Sequence, residues 1–293
     1  MRIILVYNHP LIDKVVLDAA NQLADVIKRG ERKEILEVTV LHVAGDAKRK
    51  VQGEILLAEA AKQFSQDVFS VIPKLLIGEE TTEVIHEVCV PRDQPGYDLL
   101  VIGWRQRPTL LGPLYRSTTE KILNCAPCPI LVVKKEIRPI QRILICDSGI
   151  EDQPLPELMA TRLPQLMPKD MEVTILHVMS QIGTHPSTPA WQLKAAAEDL
   201  IQAQTLEGKV LTRDARLLNS LGIKPKLKIR HGFVVDEILA EAKEGEDDLI
   251  VLGAHEPIGG IPSLLLEDQA HPVIKSTDLP VLLFHRESME IGA

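Results

Sequence analysis

The chain has 293 residues, of which 45% are hydrophobic, 25% charged and 3% aromatic, and its formal net charge is −8. The acidic balance argues against nucleic acid as a partner, because that binding needs a basic surface, and the scarcity of aromatics leaves little for base stacking. The length suggests two domains, and because no signal peptide or membrane-length apolar run is visible, we expect a cytoplasmic protein without direct membrane insertion.

The first half alternates strand-like and helix-like segments. Runs rich in Ile, Leu and Val predict strands at residues 3–7, 38–43, 74–77, 99–102 and 130–133. Apolar residues at helical spacing predict helices at residues 13–30, 54–72 and 81–90, the first ending at Gly30 and the last capped by Thr81 or Thr82. Continuous apolar runs are typical of parallel strands that are buried on both faces.

The segment VIGWRQRPTLLGPLYRSTTEKIL, residues 101–123, follows the layout of a phosphate-binding loop. A strand turns at Gly103 and a helix closes the segment, so that backbone N–H groups and the helix N-terminus can face an anion. Arg105, Arg107 and Arg116 either bind that anion through their forked donors or are solvated and paired with acids such as Glu120.

The second half repeats the first in the same order. EVTVLHV at residues 37–43 returns as EVTILHV at 172–178, and YDLLVIG at 97–103 returns as DDLIVLG at 247–253. Strands are predicted at residues 143–146, 173–178, 226–229, 249–252 and 281–284, with a helix at 236–245 and a longer one before the third strand. The charged joint at residues 134–141 divides the chain into predicted domains 1–137 and 138–293.

Strands alternating with helices predict a layered α/β fold. LHV at the end of the second strand, DLLVIG before the loop and STTEKILNCAPCPILVV after it resemble the universal stress protein family, over nearly the whole chain and twice. The resemblance implies two tandem flavodoxin-like (Rossmann-like) domains, each a five-stranded parallel sheet flanked by helices.

Single-domain members of that family commonly pair through the last strand of the sheet. We therefore expect residues 130–133 and 281–284 to pair antiparallel within this chain, as an internal pseudo-dimer that also protects two apolar edges. A homodimer of two chains stays open as a further level of assembly.

ATP-binding members of the family carry a loop of Gly, two residues, Gly, nine residues, Gly and then Ser or Thr. An Asp at the end of strand one contacts the nucleoside, and backbone at the end of strand two contacts adenine. In the first half Gly103 and Ser117 match, followed by Thr118, but Gln106 and Arg116 replace two glycines and Asn8 replaces the Asp. A side chain at these loop positions hinders the close approach of phosphate.

The second half departs from the pattern differently. Gly253 matches, Glu256 replaces the second glycine, and Glu267 and Asp268 would repel a triphosphate unless a metal intervened. Asp147 matches the nucleoside-contacting Asp, unless Arg2 corresponds to Arg142, in which case Ser148 does. The candidate cofactor-binding positions of both halves are Asn8, Val43, Gly103, Arg105, Arg116, Ser117, Thr118, Asp147, Val178 and Gly253.

The sequence offers no nucleophile elbow and no HExxH motif, so we expect no catalytic residues and no enzyme. His42 and His177 are repeat partners within LHV, which favours a structural role. A metal site among His231, His255, Glu256, Glu267 and Asp268 is the alternative, but we expect none. The RHG step at residues 230–232 is expected to cap the helix that follows it.

The function that these departures indicate is a non-enzymatic stress-response or regulatory protein with weakened or lost ATP binding. The alternatives are an ATP-binding switch, with slow hydrolysis, or a soluble regulatory module of a transporter. ATP is the one cofactor that the resemblance implies. The sequence does not identify a protein partner.

Overall fold

The computed structural model describes residues 1–30, 35–88, 96–104, 118–123, 126–148, 153–180, 189, 191–255 and 270–286. The elements of the first half are β1 (Arg2–Val6), α1 (Pro10–Arg29), β2 (Leu36–Ala44), α2 (Lys50–Ala61), β3 (Phe69–Ile77), α3 (Glu80–Val88), β4 (Leu99–Gly103), α4 (Thr118–Leu123) and β5 (Ile130–Val133). Those of the second half are β6 (Arg142–Cys146), α5 (Leu155–Arg162), β7 (Glu172–Ser180), α6 (Ala197–Gln202), α7 (Leu206–Ser220), β8 (Lys226–Gly232), α8 (Val234–Glu244), β9 (Leu249–His255), α9 (Ala270–Ser276) and β10 (Val281–Arg286).

All ten strands form one continuous sheet, in the order β3-β2-β1-β4-β5-β10-β9-β6-β7-β8. Neighbours within each half are parallel, and β5 and β10 join the halves as an antiparallel pair with Val281 opposite Val132 and Leu283 opposite Ile130. This is the antiparallel pairing that the sequence predicts for the two apolar runs. The mixed α/β architecture with five parallel strands in each half is confirmed.

Two apolar layers cover the two faces of the sheet, and each runs through both halves. One packs α1, α2, α5 and α7 against the strands through side chains such as Leu17, Leu57, Met159 and Leu211. The other packs α3, α4, α8 and α9 through side chains such as Val84, Ile122, Ile238 and Val273. Because the central strands are covered on both sides, their sequences are largely apolar, whereas β8 at the sheet edge begins with alternating Lys and apolar residues.

Helix α1 shows how closely the sequence pattern predicts a helix. Its buried residues recur three and four positions apart, at Val16, Ala20, Leu23 and Ile27. It ends at Gly30 as predicted, where the Gly30 N–H donates to the Ile27 carbonyl over 3.1 Å. None of the helices within the described residues is long and apolar enough to span a membrane.

Two of the predicted helices are wrong in their extent, and one helix was not predicted. The helix predicted at residues 54–72 ends at Ala61, because Phe69–Ile77 pairs with β2 along its whole length. The long helix predicted before the third strand of the second half is divided into α6 and α7, with Gln204 at a φ of 53° between them and Thr205 Oγ1 capping α7 at the Gly208 N–H. Helix α5 has no counterpart in the sequence prediction.

The predicted caps of α3 and α8 are also wrong. Helix α3 starts at Glu80, and the Glu79 carboxylate accepts from both the backbone N–H and the hydroxyl of Thr82, at 2.7 and 2.8 Å. At α8 the N-cap is Phe233, which makes no side-chain cap. Arg230 instead pairs with Glu237, Glu241 and Glu244 along that helix.

The strand register establishes which residues of the two halves correspond. Arg2 lies opposite Glu37 and Arg142 lies opposite Glu172 in the repeated EVT segments, so Arg2 corresponds to Arg142. The carboxylate of Asp98 accepts from the Arg2 N–H over 2.7 Å, and that of Asp248 accepts from the Arg142 N–H over 3.0 Å. It follows that Tyr7 corresponds to Asp147, and Asn8 to Ser148.

Candidate functional site

The predicted site of the first half lies at the carboxyl ends of β1, β2 and β4. The sheet places β1 between β2 and β4, so Asn8, Val43 and Gly103 come to the same edge. Open α/β sheets bind their ligands beyond the carboxyl ends of the strands. The structure therefore brings together the candidate residues that it describes in this half.

Asn8 is tied to the end of β2 by its side chain. The Val43 N–H donates to Asn8 Oδ1 over 2.7 Å, which identifies that atom as the amide oxygen. The remaining amide nitrogen, Asn8 Nδ2, is buried and has no hydrogen-bond partner. The Val43 N–H at the end of strand two is thus already bonded within the protein. The Asn8 Nδ2 donor beside it is not.

Asp13 in the first turn of α1 organises the same corner. Its carboxylate is fully buried, and Oδ2 accepts from the backbone N–H groups of Asn8 and His9, each over 2.8 Å. A Cβ on Gly103 would lie 2.9 Å from Asp13 Oδ1, closer than the two atoms can approach. Gly103 is therefore required here by the approach of Asp13. Sequence reasoning missed Asp13, although an acid in a first helical turn just after a strand end is a recognisable signal.

The two repeated histidines, His42 and His177, hydrogen-bond to backbone carbonyls at the ends of the neighbouring strands β1 and β6. His42 Nδ1 lies 3.0 Å from the Tyr7 carbonyl oxygen, and His177 Nδ1 lies 3.0 Å from the Asp147 carbonyl oxygen. A carbonyl only accepts, so Nδ1 carries the proton in both rings. The predicted structural role of the two histidines is confirmed.

Asp147 does not lie at the position that corresponds to Asn8, where the family's nucleoside-contacting Asp is expected. The register places Ser148 at the position of Asn8, and Ser148 is exposed. The Asp147 side chain is 3% exposed, and Arg213 Nη2 of α7 donates to its Oδ2 over 3.0 Å. Alignment by residue type places Asp147 at the nucleoside-contacting position, whereas the strand register places Asp147 one residue before it.

Arg213 holds a second buried carboxylate beside Asp147. Its Nε donates to Asp214 Oδ1 over 2.8 Å, while Asp214 Oδ2 is buried without a partner. Burial raises the pKa of Asp214 to about 7. The partly exposed Arg213 guanidinium thus pairs with two buried carboxylates, those of Asp147 and Asp214.

Trp104 connects the start of the loop to the middle of the sheet. Its backbone N–H donates to the Val133 carbonyl over 2.8 Å, and the Lys134 ammonium lies 5.5 Å from the Trp104 ring centroid. Lys134 Nζ also donates to the carbonyl of Lys275, over 2.8 Å. The residue after Gly103 is therefore anchored at the junction of the two halves, through contacts that composition and spacing do not reveal.

Several predicted positions lie outside the described residues: Arg105, Arg107, Arg116, Ser117, Glu256, Glu267 and Asp268. Thr118 begins α4, and Val178 and Gly253 lie in β7 and β9. His231 Nε2 lies 3.1 Å from the Ala195 carbonyl. Within the described part of the chain, no group of three or more His, Cys, Asp or Glu residues could hold a metal ion.

Comparison with known proteins gives a consistent result. The model of the universal stress protein family matches residues 15–134 and 139–285. A universal stress protein from Archaeoglobus fulgidus DSM 4304 superposes with a TM-score of 0.69 at 18% identity, covering 99% of this chain and 97% of that chain. A putative universal stress protein from Pseudomonas aeruginosa UCBPP-PA14 superposes with a TM-score of 0.62 at 16% identity, covering 97% and 92%.

A functionally unknown protein from Pseudomonas aeruginosa PAO1 is similar to the same degree, with a TM-score of 0.62 and 16% identity. At these identities the likeness shows a shared fold, which agrees with the flavodoxin-like prediction. The comparison with curated proteins gives no match.

Proposed function

Because the chain belongs to the universal stress protein family, we propose that it is a non-enzymatic stress-response or regulatory protein in which ATP binding is weakened or lost. The observation that carries this proposal is the hydrogen bond from the Val43 N–H to Asn8 Oδ1. The end of strand two is where ATP-binding members contact adenine through their backbone. Here the backbone donor at that position already has a short, buried acceptor.

Charge adds to this effect at the phosphate side. The carboxylate of Asp13 lies directly beneath Gly103, the one glycine of the first loop that matches the ATP-binding pattern. Asp13 is fully buried beside Gly103, and a carboxylate there disfavours the approach of a triphosphate, since like charges interact strongly where water is excluded. The loop sequence agrees, because Gln106 and Arg116 replace the other two glycines.

The direct test is calorimetric titration of the whole protein with ATP and Mg²⁺. We expect no tight binding to the wild-type protein. Asn8→Ala removes the side chain that occupies the Val43 N–H and should raise ATP affinity by about three- to tenfold, the worth of one hydrogen bond. Ser148→Ala is the matched control at the corresponding position of the second half and should change nothing. Tight, stoichiometric ATP binding by both halves of the wild-type protein would contradict the proposal.

The ATP-binding switch is the second candidate, and one observation favours it. Asn8 Nδ2 is a buried donor without a partner, and a ligand acceptor would satisfy it. Arg105 and Arg116 supply cations along the same loop in the sequence. This candidate predicts nucleotide that co-purifies with the protein, detectable by mass spectrometry, and a melting shift with ATP that Arg116→Ala reduces. A protein free of nucleotide and without a melting shift would exclude it.

A further inference from the structure

A polar pocket lies at the opposite ends of the strands from the candidate nucleotide site. It has a volume of about 260 Å³ and opens at the amino ends of β6, β7 and β8, next to the end of α8. Its lining includes Arg142, Thr174, Lys228, Glu241, Gly245 and Asp247. The role proposed above for this protein uses none of these residues.

In the first half, the corresponding place is filled by the side chain of Tyr97. The Tyr97 hydroxyl donates to Glu87 Oε1 over 2.7 Å. The guanidinium carbon of Arg2 lies 5.2 Å from the centre of the Tyr97 ring. Lys74 Nζ lies 2.6 Å from Glu87 Oε2 on the far side of that carboxylate. A phenol ring with one donor therefore completes a small network of charges.

The two halves correspond residue by residue around this place. Asp98 and Asp248 make the same bond to the start of the first strand, so the preceding residues, Tyr97 and Asp247, correspond. Gly78 and Gly232 each lie against the glutamate five residues later, and nine residues after each glycine come Glu87 and Glu241. The second half keeps the surroundings of Tyr97 but replaces the ring with a short carboxylate.

Asp247 is the group that this replacement leaves unsatisfied. Its side chain is 3% exposed, and Oδ2 is buried without a hydrogen-bond partner. Burial raises the pKa of the Asp247 carboxyl to about 6. A Cβ on Gly245 would lie 2.7 Å from Asp247 Oδ2, so glycine leaves space beside this oxygen.

Most of the charged side chains that line the pocket are already paired. Glu241 Oε2 accepts from Arg230 Nε over 2.6 Å, and Lys226 Nζ lies 3.0 Å from Glu172 Oε2. Arg142 Nη1 donates to Glu246 Oε2 over 3.0 Å. The unmet need is for a hydrogen-bond donor to Asp247, and among the described residues no cluster suited to a metal ion accompanies it.

We propose that this pocket binds a small planar ring carrying an O–H or N–H donor, with the ring against the Arg142 guanidinium and the donor directed to Asp247. The first half supplies part of the template, since Arg2 lies against the Tyr97 ring and Glu87 accepts from its hydroxyl. Glu241, the counterpart of Glu87, already accepts from Arg230, which leaves Asp247 as the acceptor in the second half. The size is sufficient, because a protein cavity of about 150 Å³ already accommodates benzene. Electron-rich rings also attract a guanidinium placed over their face.

The probe is p-cresol, which is the tyrosine side chain as a free molecule. We expect ligand-detected NMR to show saturable binding of p-cresol to the whole wild-type protein. Asp247→Tyr fills the pocket with the side chain of the first half and should abolish this binding. Gly245→Ala, which covers Asp247 Oδ2, should weaken it and gives a second measurement if Asp247→Tyr does not fold.

Two further variants complete the test. Tyr97→Ala opens the corresponding place in the first half and should add a second binding equivalent, while Asp278→Asn, at a remote exposed pair, should leave binding unchanged. No binding to the wild-type protein, or equal binding to wild type and folded Asp247→Tyr, would overturn the proposal.

Discussion

Corresponding positions in the two halves carry different side chains where their surroundings are most alike. Tyr7 becomes Asp147, Tyr97 becomes Asp247, and the capping Glu79 becomes Phe233, although the strand register around all three is kept. In each pair the two side chains make different contacts with the residues around them. The two halves thus share a backbone arrangement but differ in individual polar side chains. These single-residue differences give the halves separate properties.

The buried Asp247 carboxyl predicts an unusual dependence of stability on pH. Its folded pKa of about 6 lies above the ordinary value of 3.8, so the folded state binds the extra proton between these values. Stability is therefore highest below that window and falls as the pH rises through it. Asp247→Asn removes the penalty and should raise the free energy of unfolding by about 1–3 kcal/mol near pH 7.

Urea denaturation of wild type and Asp247→Asn checks this at neutral and acidic pH. The difference between the two proteins should shrink towards zero below about pH 3, where the Asp247 carboxyl is protonated in both the folded and the unfolded state. A variant that is less stable than wild type at neutral pH would show that the carboxylate has a partner in solution.

Glu79 should behave in the opposite way. Its bond from the Thr82 backbone N–H is the main cause that lowers the Glu79 pKa from 4.5 to about 2. A depressed pKa stabilises the fold above the unfolded value, and that contribution is lost as the pH falls from about 4.5 towards 2. Because the side chain is exposed and screened, Glu79→Gln should cost only about 0.5–1 kcal/mol near pH 7.

The cost of Glu79→Gln should fall as the pH is lowered, as followed by urea denaturation. Glu54→Gln, at an exposed pair 3.9 Å from Lys50, is the control and should show a smaller effect. An equal cost for Glu79→Gln at every pH would mean that the cap does not depend on charge.

At the scale of elements, apolar runs predicted the strands well and the helices less well. Every predicted strand is present, because continuous Ile, Leu and Val residues satisfy burial on both faces of the sheet. Phe69–Ile77 shows the limit, since its first residues match a helix as well as a strand and only pairing with β2 decides between them. The break between α6 and α7 likewise depends on packing at Gly208.

Gly208 marks the closest contact between two helices of the second half. A Cβ there would lie 2.1 Å from the Leu200 carbonyl oxygen and 2.8 Å from the Ile201 nitrogen, and backbone atoms cannot yield as a side chain does. Gly208→Ala should therefore destabilise the protein by about 1–3 kcal/mol or more, despite the higher helix propensity of alanine.

Thermal unfolding followed by circular dichroism measures this effect. Gly45→Ala is the matched control, since a Cβ at Gly45 meets nothing within 4 Å. If Gly208→Ala melts at the same temperature as Gly45→Ala, α6 and α7 are not in the contact described.

At the scale of the whole molecule, the internal repeat and the family resemblance predicted the architecture, but the site only in part. Asn8, Val43 and Gly103 come together as expected from strand ends that meet at one edge. The contact of Asn8 with Val43 and the place of Asp13 beneath Gly103 depend on side-chain directions that no spacing specifies. The register error at Asp147 arose because residue type was weighed against strand pairing, and pairing determines position.

The antiparallel contact of β5 and β10 predicts what happens when the chain is divided. Residues 1–137 and 138–293, produced separately, would each expose a fully buried apolar strand. Each half should then self-associate through that edge, and the mixed halves should form a one-to-one complex. Size-exclusion chromatography with light scattering gives the masses, and two halves that stay monomeric alone and together would contradict the prediction.

The contact between β5 and β10 also persists when the protein is dilute. Two separate chains joined through their edge strands would come apart as their concentration falls, whereas the linker at residues 134–141 keeps β5 and β10 at an effective concentration of roughly millimolar. The halves of this protein therefore remain partners in a cell that holds very few copies. The same effective concentration disfavours exchange with the halves of other chains, so a change in one half acts mainly on the same neighbour.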